Sequence, residues 1–152
     1  MTGLRHSPKF AAVCIDTRDG AGRRRLYGVA RYAREKAWRM MLVRRRGQEA
    51  AREVIRLRPD GIIAYIADGA LVEAARRLSV PLVDTAISEV DVPMSLSLDN
   101  CEVGRLAAES LVRLGLKHFA YCGVRGKRAS EERRTHFGRH LQQWGHELMS
   151  FS

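Results

Sequence analysis

Long apolar runs are missing from this 152-residue chain. The longest, residues 10–15 and 61–67, fall far short of the roughly 20 residues that cross a bilayer, which excludes a membrane-spanning helix. Residues 1–9 hold two early basic side chains but no extended apolar segment or small-residue cleavage site, so they do not read as a signal peptide, and a cytoplasmic protein is expected. Cysteine is scarce: Cys14, Cys101 and Cys122 are odd in number and widely spaced, which supports neither a disulfide framework nor a C-x-x-C metal or redox site. Lysine is scarcer than the charge suggests, since 23 of the 27 cationic side chains are arginine. Aromatic residues make up 7% and are not interleaved with the basic runs, and no internal repeat or low-complexity segment is present.

What remains is an ordinary globular composition, 45% hydrophobic and 29% charged, in a chain long enough for one domain or one domain and a piece of another. The formal net charge of +10 invites a nucleic-acid reading, because cations that neutralise phosphates release counterions. The distribution opposes it. Basic residues are spread through every segment with two tight runs, at residues 23–25 and 44–46, and no zinc-finger, homeodomain or RRM pattern surrounds them. The charge reads as an arginine-rich solvated surface, with direct DNA contact as the alternative.

The chain alternates strand and helix patterns. Residues 10–15 form a short apolar run closed by Asp16, the mark of a buried parallel strand. Gly20 and Gly22 then break the chain, and Leu26, Val29, Ala30, Ala33 and Ala37 recur at helical spacing. Residues 38–43 read as a second strand, 48–57 as a helix stopped before Pro59, and 61–65 as a third strand. Asp68 or Gly69 opens another helix, residues 80–83 form a fourth strand entered through Pro81, and residues 95–98 are extended. Asp99 with Glu102 forms a capping box, and Gly115 ends that helix. Residues 118–123 are a strand, and a last helix runs over about 130–144. Strands joined by helices give an α/β, Rossmann-like fold: a mostly parallel sheet with helices on both faces. Ligands of such sheets sit beyond the carboxyl ends of the strands, which makes residues 16–22, 65–68, 84–88, Asp99 and residues 123–130 site candidates.

Enzyme motifs are weak. Gly20-Ala21-Gly22 resembles part of a dinucleotide fingerprint, but Arg25 stands where its third glycine belongs. There is no Walker lysine, nucleophile elbow or H-E-x-x-H. His136 and His140 are spaced to share a metal, yet no third ligand of fitting spacing accompanies them. Asp16 and Asp99 as an acid/base pair would need a partner to split their pKa values, and hydrogen bonding to a polar ligand is the simpler role.

The motifs Ile15-Asp16-Thr17-Arg18-Asp19-Gly20-Ala21-Gly22-Arg23, Gly28-Val29-Ala30-Arg31-Tyr32-Ala33-Arg34-Glu35, Pro59-Asp60-Gly61-Ile62-Ile63-Ala64, Leu98-Asp99-Asn100-Cys101-Glu102-Val103-Gly104-Arg105-Leu106-Ala107-Ala108 and His118-Phe119-Ala120-Tyr121-Cys122-Gly123, followed by residues 130–137, share an order and spacing over almost the whole chain. In that series the chain resembles the sugar-binding domain of the xylose operon regulators. These are transcription factors with a LacI-type, periplasmic-binding-protein-like effector domain followed by an AraC-type DNA-binding domain. Only nine residues precede Phe10, where LacI repressors proper place a helix-turn-helix, and no export signal of a periplasmic binding protein is seen. Both features favour a DNA-binding module on the C-terminal side.

The resemblance implies a two-lobed sugar sensor, with residues 1–115 forming the first lobe and 116–152 an incomplete second one, the DNA-binding domain being absent. It implies no enzyme activity and no cofactor or metal. Its partners are a small sugar effector, a pentose above all, DNA through the missing C-terminal domain, and a second copy in a full-length homodimer. The ligand-binding residues it implies are Asp16, Thr17, Tyr65, Asp99 as a sugar-binding carboxylate, and Arg133 as a clamping arginine. At position 136 the family's Arg-x-x-Gly-aromatic motif has histidine instead of glycine. The alternatives are a Rossmann-like nucleotide-binding enzyme fragment using residues 20–25 for phosphate, and a free-standing signalling domain that pairs through exposed helices.

Overall fold

The computed structural model describes residues 8–151. Between Leu96 and Ser97 the chain divides into two compact units. The first contains β1 (Phe10–Cys14), α1 (Gly20–Glu35), β2 (Arg39–Leu42), α2 (Gly47–Leu57), β3 (Gly61–Ala64), α3 (Gly69–Leu78), β4 (Leu82–Asp84) and β5 (Met94–Ser95). The second contains α4 (Asn100–Arg113), β6 (Phe119–Cys122), α5 (Arg128–Gln143) and β7 (Leu148–Phe151). The class is α/β, as the alternating pattern implies.

In the first unit five strands run in the order β2-β1-β3-β4-β5, and every pairing is parallel. β1 lies between β2 and β3, and Ala11, Ala12, Val13 and Cys14 are all buried, which is why this strand reads as an unbroken apolar run. Ala12 and Cys14 join Ile62 and Leu82 in a core with Ala50 and Val54 of α2 and Leu71 and Ala75 of α3. Helix ends follow local chemistry. Asp19, Asp68 and Asp99 cap α1, α3 and α4 by accepting the backbone N–H of Gly22, Leu71 and Glu102. Arg58 and Ser79 close α2 and α3 in the left-handed conformation, and the chain then turns at Pro59 and Pro81.

Three local expectations are corrected. Gly20 and Gly22 do not break the chain but form the first turn of α1, with Asp19 as the cap. β4 begins after Pro81 and carries Asp84 inside the strand, and the short extended segment pairs at Met94–Ser95 rather than over 95–98. β7 is an additional strand, parallel to β6, reached through Gly145 at φ 74°.

The second unit forms around Ala108, Phe119, Phe137 and Leu141, with α4 packed on α5. The compact units therefore divide ahead of α4, whereas the sequence places the lobe boundary after residue 115. The helix pair depends on Gly104: a Cβ there would lie 2.7 Å from the backbone nitrogen of Phe137 and 2.8 Å from the Cβ of His136. Gly104→Ala gains helix propensity of about 1 kcal/mol, but it forces two backbones apart at a cost of about 1–3 kcal/mol. Urea denaturation is expected to show net destabilisation of the variant.

Candidate functional site

The strand order reverses direction between β1 and β3, and there the loops that follow the strands diverge and leave a crevice. A cavity of about 750 Å³ occupies it. Asp16 and Thr17 from the β1–α1 loop and Tyr65 from the β3–α3 loop line this cavity, so three of the five sequence-derived candidates come together. The β2–α2 loop adds Arg44, Arg45 and Arg46, which the sequence reading assigned to the solvated surface.

Asp16 is the most heavily engaged side chain. Its Oδ1 accepts from the backbone N–H of Arg18 at 3.0 Å and from the Arg18 Nε at 3.1 Å, and its Oδ2 accepts from the same Nε at 2.9 Å and from Nη2 at 2.7 Å. Arg46 pairs with the same carboxylate from across the crevice. The Arg18 hydrogen bonds hold the Asp16 carboxyl well below the usual carboxylate range, and the charge of Arg46 adds to the shift. The loop is fixed from below as well. Arg23 donates to the carbonyl oxygens of Thr17 and Arg18, both at 3.0 Å, and Gly22 sits so close that a Cβ would fall 1.7 Å from the Asp16 carbonyl oxygen. Only glycine lets α1 start here.

Tyr65 is held from two directions. Its backbone N–H donates to the Cys14 carbonyl at 3.0 Å, and the Arg25 guanidinium lies 4.3 Å from its ring centroid while donating through Nε to the Thr85 carbonyl at 3.1 Å. The next residue, Ile66, is exposed and left-handed at φ 62°, a costly conformation for a β-branched side chain. The fully buried Asp84 offsets that cost by accepting the backbone N–H groups of Ile66 and Ala67 at 3.0 and 3.3 Å, and it also pairs with the Ser88 hydroxyl. Asp84 thus shapes the loop that presents Tyr65 and Ile66 to the cavity.

Asp99 and Arg133 belong to the second unit. Asp99 caps α4 through the Glu102 N–H at 3.0 Å. Its neighbour Asn100 is buried, accepts from Arg133 Nε at 2.7 Å, and donates to Glu132 at 2.8 Å. The Asn100 hydrogen bond, with help from Arg128, lowers the Glu132 carboxyl below its ordinary value. Asn100 and Glu132 are positioning residues that no sequence motif singled out. His136 packs against Gly104, and its Nδ1 is buried without a partner among the described residues.

Two expectations follow. Asp16 has a lowered folded pKa, so its ion pairs contribute fully above the unfolded carboxylate value of about 3.9 and are lost as pH falls through the folded value. Acid titration of stability should therefore show a limb that Asp16→Asn flattens. Burial, reinforced by the negative charges of Asp68 and Glu53, pushes the Cys14 thiol up to about 12, while Cys101 and Cys122 are exposed. A thiol reagent followed by peptide mass spectrometry should label Cys101 and Cys122 in the native protein and Cys14 only after unfolding.

No family model matches the chain, and no curated protein matches it. Solved structures do. A periplasmic ribose ABC transporter from Conexibacter woesei aligns at 22% identity and TM-score 0.76, covering 94% of this chain and 53% of its own. A periplasmic binding protein/LacI transcriptional regulator from Alkaliphilus metalliredigens, complexed with D-xylulofuranose, aligns at 17% and TM-score 0.75, covering 95% and 56%. A LacI family transcriptional regulator from Enterococcus faecium with bound ribose aligns at 16% and TM-score 0.76, covering 93% and 56%. The chain spans about half the length of these structures, and what the likeness establishes is the fold, which is periplasmic-binding-protein-like.

Proposed function

We propose that the chain is the sugar-sensing part of a bacterial transcriptional regulator. The observation that carries this reading is the crevice at the β1/β3 reversal, about 750 Å³ in volume, with Asp16, Thr17 and Tyr65 on its wall. That volume lies in the range of small-molecule sites. The similar structures add support, since two of them hold xylulofuranose or ribose. Asp99 and Arg133 are the second unit's proposed ligand contacts, with Asn100 fixing the Arg133 guanidinium by its Nε. The lobe assignment, the pentose effector, the AraC-type module on the C-terminal side, the full-length homodimer and the cytoplasmic location rest on the resemblance to xylose operon regulators. On this reading sugar binding shifts the population of DNA-binding geometries.

The nucleotide-enzyme alternative needs the N-terminus of α1 for phosphate. There the Asp19 carboxylate already accepts the Gly22 N–H at 2.6 Å, which places a negative charge where phosphate would bind. That geometry favours the sugar reading. Isothermal titration of the regulator with its neighbouring domains intact, against pentoses, hexoses, their derivatives and nucleotides, is the test. A sugar or sugar derivative is expected to bind. Binding of nucleotides with silence toward every sugar would overturn the proposal.

A further inference from the structure

The crevice wall is rich in cationic donors and poor in free carboxylates, its other side-chain acceptors being the hydroxyls of Thr17 and Tyr65. Arg18, Arg44, Arg45 and Arg46 line it, facing three carboxylates that are already committed. Asp16 neutralises Arg18 and Arg46 together, so one negative charge serves two positive ones. Asp19 caps α1. Asp68 caps α3 through Leu71 at 2.9 Å and accepts the Gly47 N–H at 3.1 Å. Arg45 has only an exposed contact to Glu49 at 3.5 Å, of a kind worth little in water. The N-terminus of α2 begins in this loop, where its first N–H, that of Gly47, is taken by Asp68 and its cap residue Arg46 makes no side-chain cap hydrogen bond, so the Arg46 guanidinium is free of the helix end.

Sugar hydroxyls both donate and accept, so a neutral sugar needs acceptors as well as donors around it. Guanidinium groups only donate. An anionic group only accepts, and the planar fork of arginine matches phosphate and carboxylate oxygens in pairs. Asp16, saturated by its arginines, acts here as a positioning residue that holds Arg46 against the cavity. We infer that the ligand of this crevice is a sugar bearing an anionic group, a phosphate or a carboxylate, bound by Arg44 and Arg46 of the β2–α2 loop. The inference rests on the sugar-sensing reading and narrows its ligand class.

The test is a ¹⁵N-resolved NMR titration of the 152-residue chain with ribose, xylose, ribose 5-phosphate, xylonate and inorganic phosphate, at low salt and at about 0.2 M salt. Ribose 5-phosphate or xylonate is expected to shift amides of residues 16–18, 44–46 and 65–68. It should bind about tenfold or more tightly than its neutral parent, the scale of one charge-assisted hydrogen bond. That preference should shrink with salt and collapse toward unity in Arg44→Gln/Arg46→Gln, whose amide spectrum otherwise matches the parent's. Which of the two sugars binds tells phosphate from carboxylate. Equal binding of ribose or xylose at the same amides would overturn this inference and leave the sugar reading standing. Inorganic phosphate binding as tightly as ribose 5-phosphate would also overturn it. Silence of every sugar at these amides would overturn the sugar reading itself.

Discussion

A parallel sheet cannot be built from hairpins, and every strand must be followed by a crossover that returns the chain to the starting edge. In the first unit α1, α2 and α3 supply these crossovers, so the loops after β1, β2 and β3 all open at one edge of the sheet. The order β2-β1-β3 makes the chain step one way from β1 and then back past it. Loops on either side of that reversal part, and a crevice exists before any side chain is chosen. Gly22 is the local condition on which this arrangement rests, because α1 must begin within contact of the Asp16 carbonyl.

Polar bookkeeping at this edge decides what the crevice presents. A helix start has four N–H groups without intrahelical partners, and a carboxylate that caps them gives up part of its acceptor capacity. Asp19 and Asp68 are engaged in this way, and Asp84 is engaged on the left-handed turn at Ile66. Asp16 is spent on two guanidiniums. The carboxylates of this edge therefore work as braces. The β2–α2 arginines and the Thr17 and Tyr65 side chains line the cavity beside them.

The strands and helices were legible because each has a short-range cause. Buried parallel strands show as apolar runs, Asp68 and Asp99 precede helices they cap, and Gly115 and Pro59 mark helix ends. The first turn of α1 was misread since its glycines look like a break, while their purpose is a close approach to β1 that only the folded chain reveals. β7 is four residues with no alternation, and its partner β6 is the only thing that defines it. Asp16, Thr17 and Tyr65 follow strand ends, which is why the sequence could bring them to one cavity wall. The pairing of Arg46 with Asp16 was not legible, since it spans 30 residues and depends on β1 and β2 being neighbours.

The second unit depends on one close helix contact. His136 lies on α5 where the two helices come close. In this chain the room is supplied from the opposite helix by Gly104, whose missing Cβ is what the His136 and Phe137 backbone region occupies. The constraint belongs to the interface between α4 and α5, and a compensating pair can satisfy it from either side. Because that contact brings the first turn of α4 beside α5, Asn100 reaches both Glu132 and Arg133, and the Arg133 Nε is fixed at 2.7 Å from the Asn100 oxygen. The orientation of the guanidinium is thus set by helix packing.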